Sequence, residues 1–261
     1  MSASRTRVLL VDGFNLIRRI FEAMPDESDI DGLSDSCAKS LQRALNIHKP
    51  SHAIVVFEDH DTTWRHLLYS DYKAGRKPTP EPLLKALPAI EARFEMLGIH
   101  SISLPNYEAD DVIATIASRV AGADASGSPR GEVIILSTDK SYLQLLRPGI
   151  RVFNHFNQQE YLEPEVEDRH GVLISQLTDY WALVGDSSNN IKGVPKIGKK
   201  SAAELLGRYA TLAEILSATE DDSKVKKVQG ESDLALRCQQ LVILKQDVEL
   251  GINLRGFRLV Q

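Results

Sequence analysis

Val8-Leu9-Leu10-Val11, followed at once by Asp12-Gly13, decides the fold. An unbroken apolar run that stops on an acid and a glycine fits a strand covered on both faces, as in a parallel sheet. The same figure recurs along the chain. Ala53 to Phe57 stops at Glu58-Asp59, His100 to Leu104 ends at Pro105, Val133 to Leu136 runs into Ser137-Thr138-Asp139, and Arg151 to Asn154 gives one more run. Helical patterns fall between them, at about Ser34 to Asn46, Pro82 to Leu97, Glu108 to Val120 and, more briefly, Tyr142 to Leu146. Strand–helix alternation of this kind predicts an α/β fold with a mostly parallel central sheet flanked by helices.

After about Val172 the character changes. Helices are predicted at Ile174 to Val184, Lys200 to Tyr209, Leu212 to Leu216 and Leu234 to Leu244, and Gly185 to Lys199 between the first two is rich in Gly, Asn, Ser and Lys. The sequence therefore predicts two parts, an α/β domain over 1–171 and a smaller helical module over 172–261. Ala23 to Ser36, Gly122 to Gly131 and Thr219 to Ser232 read as loops.

The chain has 261 residues, 43% apolar and 26% charged, which excludes a disordered, collagenous or low-complexity polypeptide. No apolar run is long enough for a transmembrane helix, and Met1 to Arg7 lacks the apolar stretch of a secretory signal. The cysteines, Cys37 and Cys238, form no CxxC, and the histidines match no zinc spacing; a reducing cytoplasm is the expected compartment. A net charge of −5 argues mildly against a nucleic-acid partner, but the distribution of charge decides more than the total. From Lys192 to Arg208, Lys192, Lys196, Lys199, Lys200 and Arg208 face a single acid, Glu204.

Asp12, Glu58, Asp59 and Asp139 each follow a predicted strand. Ligands of open parallel sheets bind outside the carboxyl ends of the strands, so these acids are expected around one crevice. Glu108-Ala109-Asp110-Asp111 opens a helix, and at about 100° per residue Glu108 and Asp111 share a face with Asp110 beside them. The plain alternative for that group is acids favouring a helix N-terminus. Convergence from separate strand ends is harder to assign to chance. Such a cluster needs a cation, and hard oxygen donors without histidine suit Mg²⁺ or Mn²⁺ and metal-assisted phosphoryl chemistry.

Gly193-Val194-Pro195-Lys196-Ile197-Gly198-Lys199-Lys200-Ser201 reads as a tight hairpin entering a helix, whose free N–H groups make an anion site. It does not match a Walker A loop, and contacts of this type position a phosphate backbone without reading sequence. Trp64 to Lys77 is a second basic stretch, carrying Arg65, His66, Lys73, Arg76 and Lys77 with Tyr69 and Tyr72 interleaved. A cationic bridge with aromatics available for stacking suits a nucleic-acid strand, and a surface loop is the bland alternative.

In order along the chain, Val11-Asp12-Gly13, Val55-Val56-Phe57-Glu58, Tyr72-Lys73-Ala74-Gly75-Arg76, Glu108-Ala109-Asp110-Asp111, Ser137-Thr138-Asp139-Lys140 and Gly185-Asp186 through Gly198 resemble the 5′ nuclease (flap endonuclease) family. The chain is similar to the nuclease domain of bacterial DNA polymerase I without the polymerase region. Asp179-Tyr180-Trp181 and the ending Phe257-Arg258-Leu259-Val260-Gln261 look more like the stand-alone bacterial members. The resemblance implies a PIN-like nuclease domain, with a basic arch at about 61–82, and a helix–hairpin–helix element in the smaller module. It implies divalent-metal-dependent hydrolysis of a DNA phosphodiester near a 5′-flap junction, in replication and repair, by a monomer acting on branched or flapped duplex DNA away from any membrane.

By resemblance, Asp12, Glu108, Asp110, Asp111 and Asp139 fall on the Mg²⁺-binding positions, with Asp110 the first expected direct ligand, and Lys73 and Arg76 steady the scissile phosphate. The hairpin would hold K⁺ through the carbonyls of Leu183, Val184, Lys192, Val194 and Ile197 and face DNA with the backbone of Lys196, Ile197, Gly198, Lys199, Lys200 and Ser201. Three positions depart from the pattern. Glu58 stands where Asp is usual, Ser141 replaces a second Asp two residues after Asp139, and Asn189 replaces one three residues after Asp186. Only Asp186 remains of the extra acids of a second metal site, so one tight and one weaker ion are expected, Mn²⁺ substituting for Mg²⁺. The same losses feed an alternative, a flap-DNA-binding protein with weak or no catalysis.

Overall fold

The computed structural model describes residues 6–58 and 62–260; Asp59, one of the acids expected at the crevice, lies outside them. The elements are β1 (Arg7–Asp12), α1 (Gly13–Phe21), α2 (Ile30–His48), β2 (His52–Val56), α3 (Trp64–Leu68), α4 (Glu81–Met96), β3 (His100–Ile102), α5 (Ala109–Val120), β4 (Glu132–Leu136), β5 (Ile150–Asn154), β6 (Gln159–Glu160), α6 (Glu163–His170), α7 (Leu177–Val184), α8 (Lys199–Arg208), α9 (Leu212–Ser217), α10 (Ser223–Gly230) and α11 (Ser232–Val242). They form two compact units. The first is Met1–Asp61, Pro78–Tyr161 and Lys245–Gln261; the second is Thr62–Lys77 and Leu162–Leu244. This spatial division is not a linear one, because segment 62–77 counts with the second unit and the chain end with the first.

The first unit is built on a sheet of order β3-β2-β1-β4-β5-β6 among the described residues, parallel except for the β5–β6 pair. Val8 pairs with His52 on one side and Val133 on the other, so β1 is central and its side chains are buried on both faces. The uninterrupted apolar runs of β1, β2 and β4 are thus explained by position: beyond their first residues neither face of these strands meets water. On one side α2 and α4 pack together and onto the sheet, Leu33, Cys37 and Leu41 meeting a core with Leu83, Ile90 and Phe94. α5 has almost no polar face after its first turn, and its residues from Val112 to Ala117 are all buried. A helix apolar all round must be covered all round. The sheet covers one side, and the segment from Lys245 to Leu250 is bonded along another. Lys245 N–H donates to Asp111 Oδ1 at 2.9 Å, Thr115 Oγ1 donates to the Lys245 carbonyl at 3.2 Å, and Arg119 Nη2 donates to the Val248 carbonyl at 2.7 Å.

The second unit centres on α7, which packs against α8 and α11. Asp179 is buried and accepts from the Leu212 N–H and the Gln239 amide, so its place in the Asp179-Tyr180-Trp181 block is structural. Two stretches read as loops hold helices. Thr219 to Ser232 contains α10, started by Asp222, whose side chain accepts from the Lys224 and Val225 N–H groups, and fixed by buried Val225 and Val228. Ala23 to Ser36 contains the first turns of α2, started by Asp29 accepting from the Gly32 N–H. The short pattern at Tyr142 to Leu146 is a 3₁₀ helix over Lys140–Leu145. No helix among the described residues is long and apolar enough to cross a membrane.

Candidate active site and nucleic-acid interface

In the first unit the strand order turns outward on either side of β1, the place where parallel sheets open a crevice at their carboxyl ends. Asp12 ends β1 there. It starts α1 by accepting the Asn15 N–H on Oδ1 at 3.1 Å, and its Oδ2 accepts the Ser137 hydroxyl at 3.0 Å and the Tyr142 hydroxyl at 3.3 Å. Tyr142 O–H also reaches Asp110 Oδ1 at 2.9 Å, and Ser141 Oγ donates to Asp110 Oδ2 at 2.9 Å. Asp139 begins the 3₁₀ turn, taking the Ser141 N–H at 2.8 Å, while its own N–H donates to Ser137 Oγ at 3.1 Å. Asn15 and Thr138 bond each other in both directions, tying α1 to the end of β4. Asp12, Asp110 and Asp139, from three separate elements, are therefore tied together through the hydroxyls of Ser137, Ser141 and Tyr142 and the Ser141 N–H.

Charge is felt across this group. Burial pushes the Asp12 carboxyl up to about 7, and the neighbouring charges of Asp139 and Glu58 push the same way, against the Asn15 N–H and the Ser137 hydroxyl. Burial, then the charges of Asp110, Asp12 and Asp139, hold the Tyr142 phenol well above its ordinary value, so it stays a donor. Glu58 is half-buried after β2, and Glu108 is buried at the start of α5 without capping it. Asp111 is wholly buried, and its Oδ1 accepts the Lys245 N–H. Among the described residues no three acidic, histidine or cysteine side chains close on one point at ligating distance. Asp12 and Asp110 accept from the hydroxyls of Ser137, Ser141 and Tyr142, and each such bond favours the charged carboxylate. Their donor chemistry, carboxylate oxygen with no nitrogen or sulfur, fits a hard divalent ion.

The hairpin of the second unit works through its main chain. Gly185 has φ +81°, and a Cβ there would lie 2.4 Å from the Ile191 carbonyl oxygen. Gly193 has φ +69°, and a Cβ there would lie 2.4 Å from Gly185 N and 2.6 Å from the Leu183 oxygen. Only glycine allows both the left-handed backbone and this approach. The Leu183 carbonyl accepts Val194 N–H at 2.8 Å and the Val194 carbonyl accepts Ile197 N–H at 3.1 Å. Gly198 precedes α8 with no side-chain cap, leaving its first N–H groups for another acceptor. Lys196, Lys199 and Lys200 are exposed, while the Ile197 side chain is buried and can offer only its backbone. Asp186 is occupied locally, accepting Ser188 Oγ at 2.7 Å and the Asn189 amide at 2.8 Å.

The basic stretch 64–77 is more ordered than a bare loop. α3 opens it, and Lys73 N–H donates to the Asn189 carbonyl at 3.0 Å. Two of its members are not available to a ligand. Arg65 is 1% exposed and donates to the Leu241 and Ile243 carbonyls at the end of α11, and Tyr72 is 4% exposed with the His66 ring on it. Arg76 and Lys77 are exposed and Lys73 half-buried. The sequence pointed to the acids and missed what arranges them: Asn15, Ser137, Ser141 and Tyr142.

Comparison with known proteins agrees over the whole chain. Residues 7–171 match the model of the 5'-3' exonuclease N-terminal resolvase-like domain, and residues 172–261 match the 5'-3' exonuclease C-terminal SAM fold. Flap endonuclease Xni of Shewanella oneidensis is 44% identical over 254 residues, 97% of this chain and 95% of that protein. The Xni of Shewanella loihica is 43% identical over 254 residues, covering 97% and 96%. Among solved structures, T5 5'-exonuclease with bound divalent metal ions (zinc) superposes with a TM-score of 0.76 over 90% of this chain and 89% of that one, at 20% identity, which speaks for the fold.

Proposed function

The chain belongs to the 5'-3' exonuclease family, and on that premise we propose that it is a structure-specific endonuclease that hydrolyses DNA near the junction of a 5′ flap. The observation that carries this reading is the meeting of Asp12, Asp110 and Asp139 around Ser137, Ser141 and Tyr142 at the carboxyl end of a parallel sheet. Asp12, Glu58, Glu108, Asp110 and Asp139 hold the tight divalent ion, Asp110 foremost. Asp111 belongs to the same acidic metal set while also securing Lys245, and Asp186 is the acid left for a weaker second ion. Held there, Mg²⁺, or Mn²⁺ in its place, would lower the pKa of a bound water so that hydroxide is available to attack phosphorus, and would offset the charge that develops. Lys73 and Arg76 steady the scissile phosphate. Lys196 to Ser201 grip a phosphate of the duplex through the open N–H groups of α8 and the charges of Lys199 and Lys200. The carbonyls of Leu183, Val184, Lys192, Val194 and Ile197 hold K⁺, for which a ring of main-chain oxygens is suited.

The proposed parts are a nuclease domain over 1–171 with its basic arch and a DNA-binding module over 172–261. The protein is taken to act as a cytoplasmic monomer; its free, buried Cys37 and Cys238 suit a reducing compartment. The test is cleavage of a 5′-flap duplex in Mg²⁺ and K⁺. Junction cleavage by the wild type, lost in Asp110→Ala with flap binding retained, is the expected result. A Mg²⁺ titration that saturates in a single high-affinity step would contradict the weak second ion. A second reading, a flap-DNA-binding protein with weak or no catalysis, draws on Asn189 donating to Asp186 where a further acid would sit. Tight binding with no cleavage in Mg²⁺ or Mn²⁺ would select it.

A further inference from the structure

One hydroxyl, that of Tyr142, touches two carboxylates from different elements. Its ring is wholly buried, and its O–H lies 2.9 Å from Asp110 Oδ1 on α5 and 3.3 Å from Asp12 Oδ2 at the end of β1. A phenol has one hydrogen, so the shorter contact is the full bond and the longer one a shared contact. Ser141 holds the other oxygen of Asp110 and Ser137 the same oxygen of Asp12, each reaching one of the two acids, while the Tyr142 hydroxyl reaches both. From this geometry we infer that Tyr142 is a positioning residue for the divalent ion: it sets the separation of Asp12 and Asp110 before the ion arrives. The inference rests on the nuclease reading, because it concerns how that site is prepared. Outer groups that hold metal ligands in place are commonly worth about 10- to 100-fold in metal affinity or activity.

Tyr142→Phe keeps the buried ring and removes only the bridge. Two readouts apply to the intact protein: Mn²⁺ affinity without DNA, followed by electron paramagnetic resonance, and flap cleavage in Mg²⁺. The expected result is Mn²⁺ binding weaker by about tenfold or more, with kcat lowered, KM for flap DNA unchanged and high Mg²⁺ restoring part of the rate. The melting temperature in EDTA is measured beside it, since a purely structural tyrosine would lower that temperature and leave Mn²⁺ affinity alone; that pattern overturns the inference. So does a variant with wild-type Mn²⁺ affinity while Asp110→Ala abolishes binding and cleavage, an outcome that leaves the nuclease reading standing. If Tyr142→Phe does not fold, Tyr142→Met, which fits the buried space flexibly and has no N–H or O–H donor, is measured the same way, and wild-type affinity there overturns it too. A wild type that binds no Mn²⁺ and cleaves nothing overturns both readings.

Discussion

The acid pocket of the first unit and the glycine hairpin of the second are both proposed ion sites, and they are built from opposite materials. In the pocket the chemistry sits in side chains: Asp12, Asp110 and Asp139 are held apart by hydroxyls, and Asp12 is raised to about 7 by its burial and its neighbours. In the hairpin the side chains largely step aside. Gly185 and Gly193 bring two stretches of main chain into contact, and the groups offered are carbonyls and N–H groups. A charged pocket stores unfavourable electrostatics that a cation relieves. A main-chain pocket stores tight steric tolerance that only the right backbone relieves. The two should therefore fail differently when altered.

The largest expected effect is on the pocket's chemistry. Asp110→Ala should lower flap cleavage by roughly 10³-fold, the size of several kcal/mol of lost transition-state charge stabilisation, with no loss of fold as read by circular dichroism. The matching change in the hairpin should do the reverse. Gly193→Ala meets backbone at 2.4 Å and needs a left-handed φ of +69°, so it should destabilise the fold as well as duplex binding. The backbone strain alone costs about 1–2 kcal/mol, and thermal melting measures it. Gly198→Ala is the control, because nothing lies within 4 Å of its Cβ. Its stability should stay within about 1 kcal/mol of wild type. Equal losses in the two glycine variants would break the comparison.

A third effect is smaller and belongs to the pocket. In metal-free protein the Asp12 carboxyl titrates at about 7 against an ordinary 3.8. The folded state then carries more protons than the unfolded one between those values. Its relative stability is fully present below the lower value and is lost as pH rises through the upper one. The melting temperature in EDTA should fall by roughly 5 °C between about pH 5 and about pH 8, and Asp12→Asn should flatten that slope. A slope unchanged in Asp12→Asn would remove Asp12 as its source. Smallest is the charge on the hairpin. Lys199→Ala and Lys200→Ala should each weaken duplex binding alike on every sequence and lower the salt slope by about one unit, read by fluorescence anisotropy across a salt series.

The same contrast explains what the sequence could say. The strands were legible because burial on both faces writes an unbroken apolar run, and the acids because they punctuate those runs. α10 was hidden: Thr219 to Ser232 is polar and carries Gly230, and its helix shows only through the Asp222 cap and two buried valines. Ser137, Ser141 and Tyr142 were hidden for another reason. Hydroxyl residues are common, and only three-dimensional proximity to Asp12 and Asp110 gives them a task. Asp111 was legible as an acid but not in its bond to Lys245, a partner 134 positions along the chain. Arg65 read as a surface cation, yet its guanidinium lies over the Trp64 ring, 4.4 Å from the centroid, and closes the end of α11. Nothing local announces that a cation will be used as a cap.

The rungs that Asp111, Thr115 and Arg119 of α5 send to Lys245 and Val248 also bear on inheritance. The two family segments meet between residues 171 and 172, so a gene cut there looks like a clean halving. The first half would lose the chain end that shields α5, with the buried contacts of Val248 and Leu250 and the Lys245 N–H bond to Asp111. Recombination at that joint delivers a fragment without its lid. Shuffling among relatives should tolerate exchanges that carry residues 245–261 along with the first half far better than those that leave them behind.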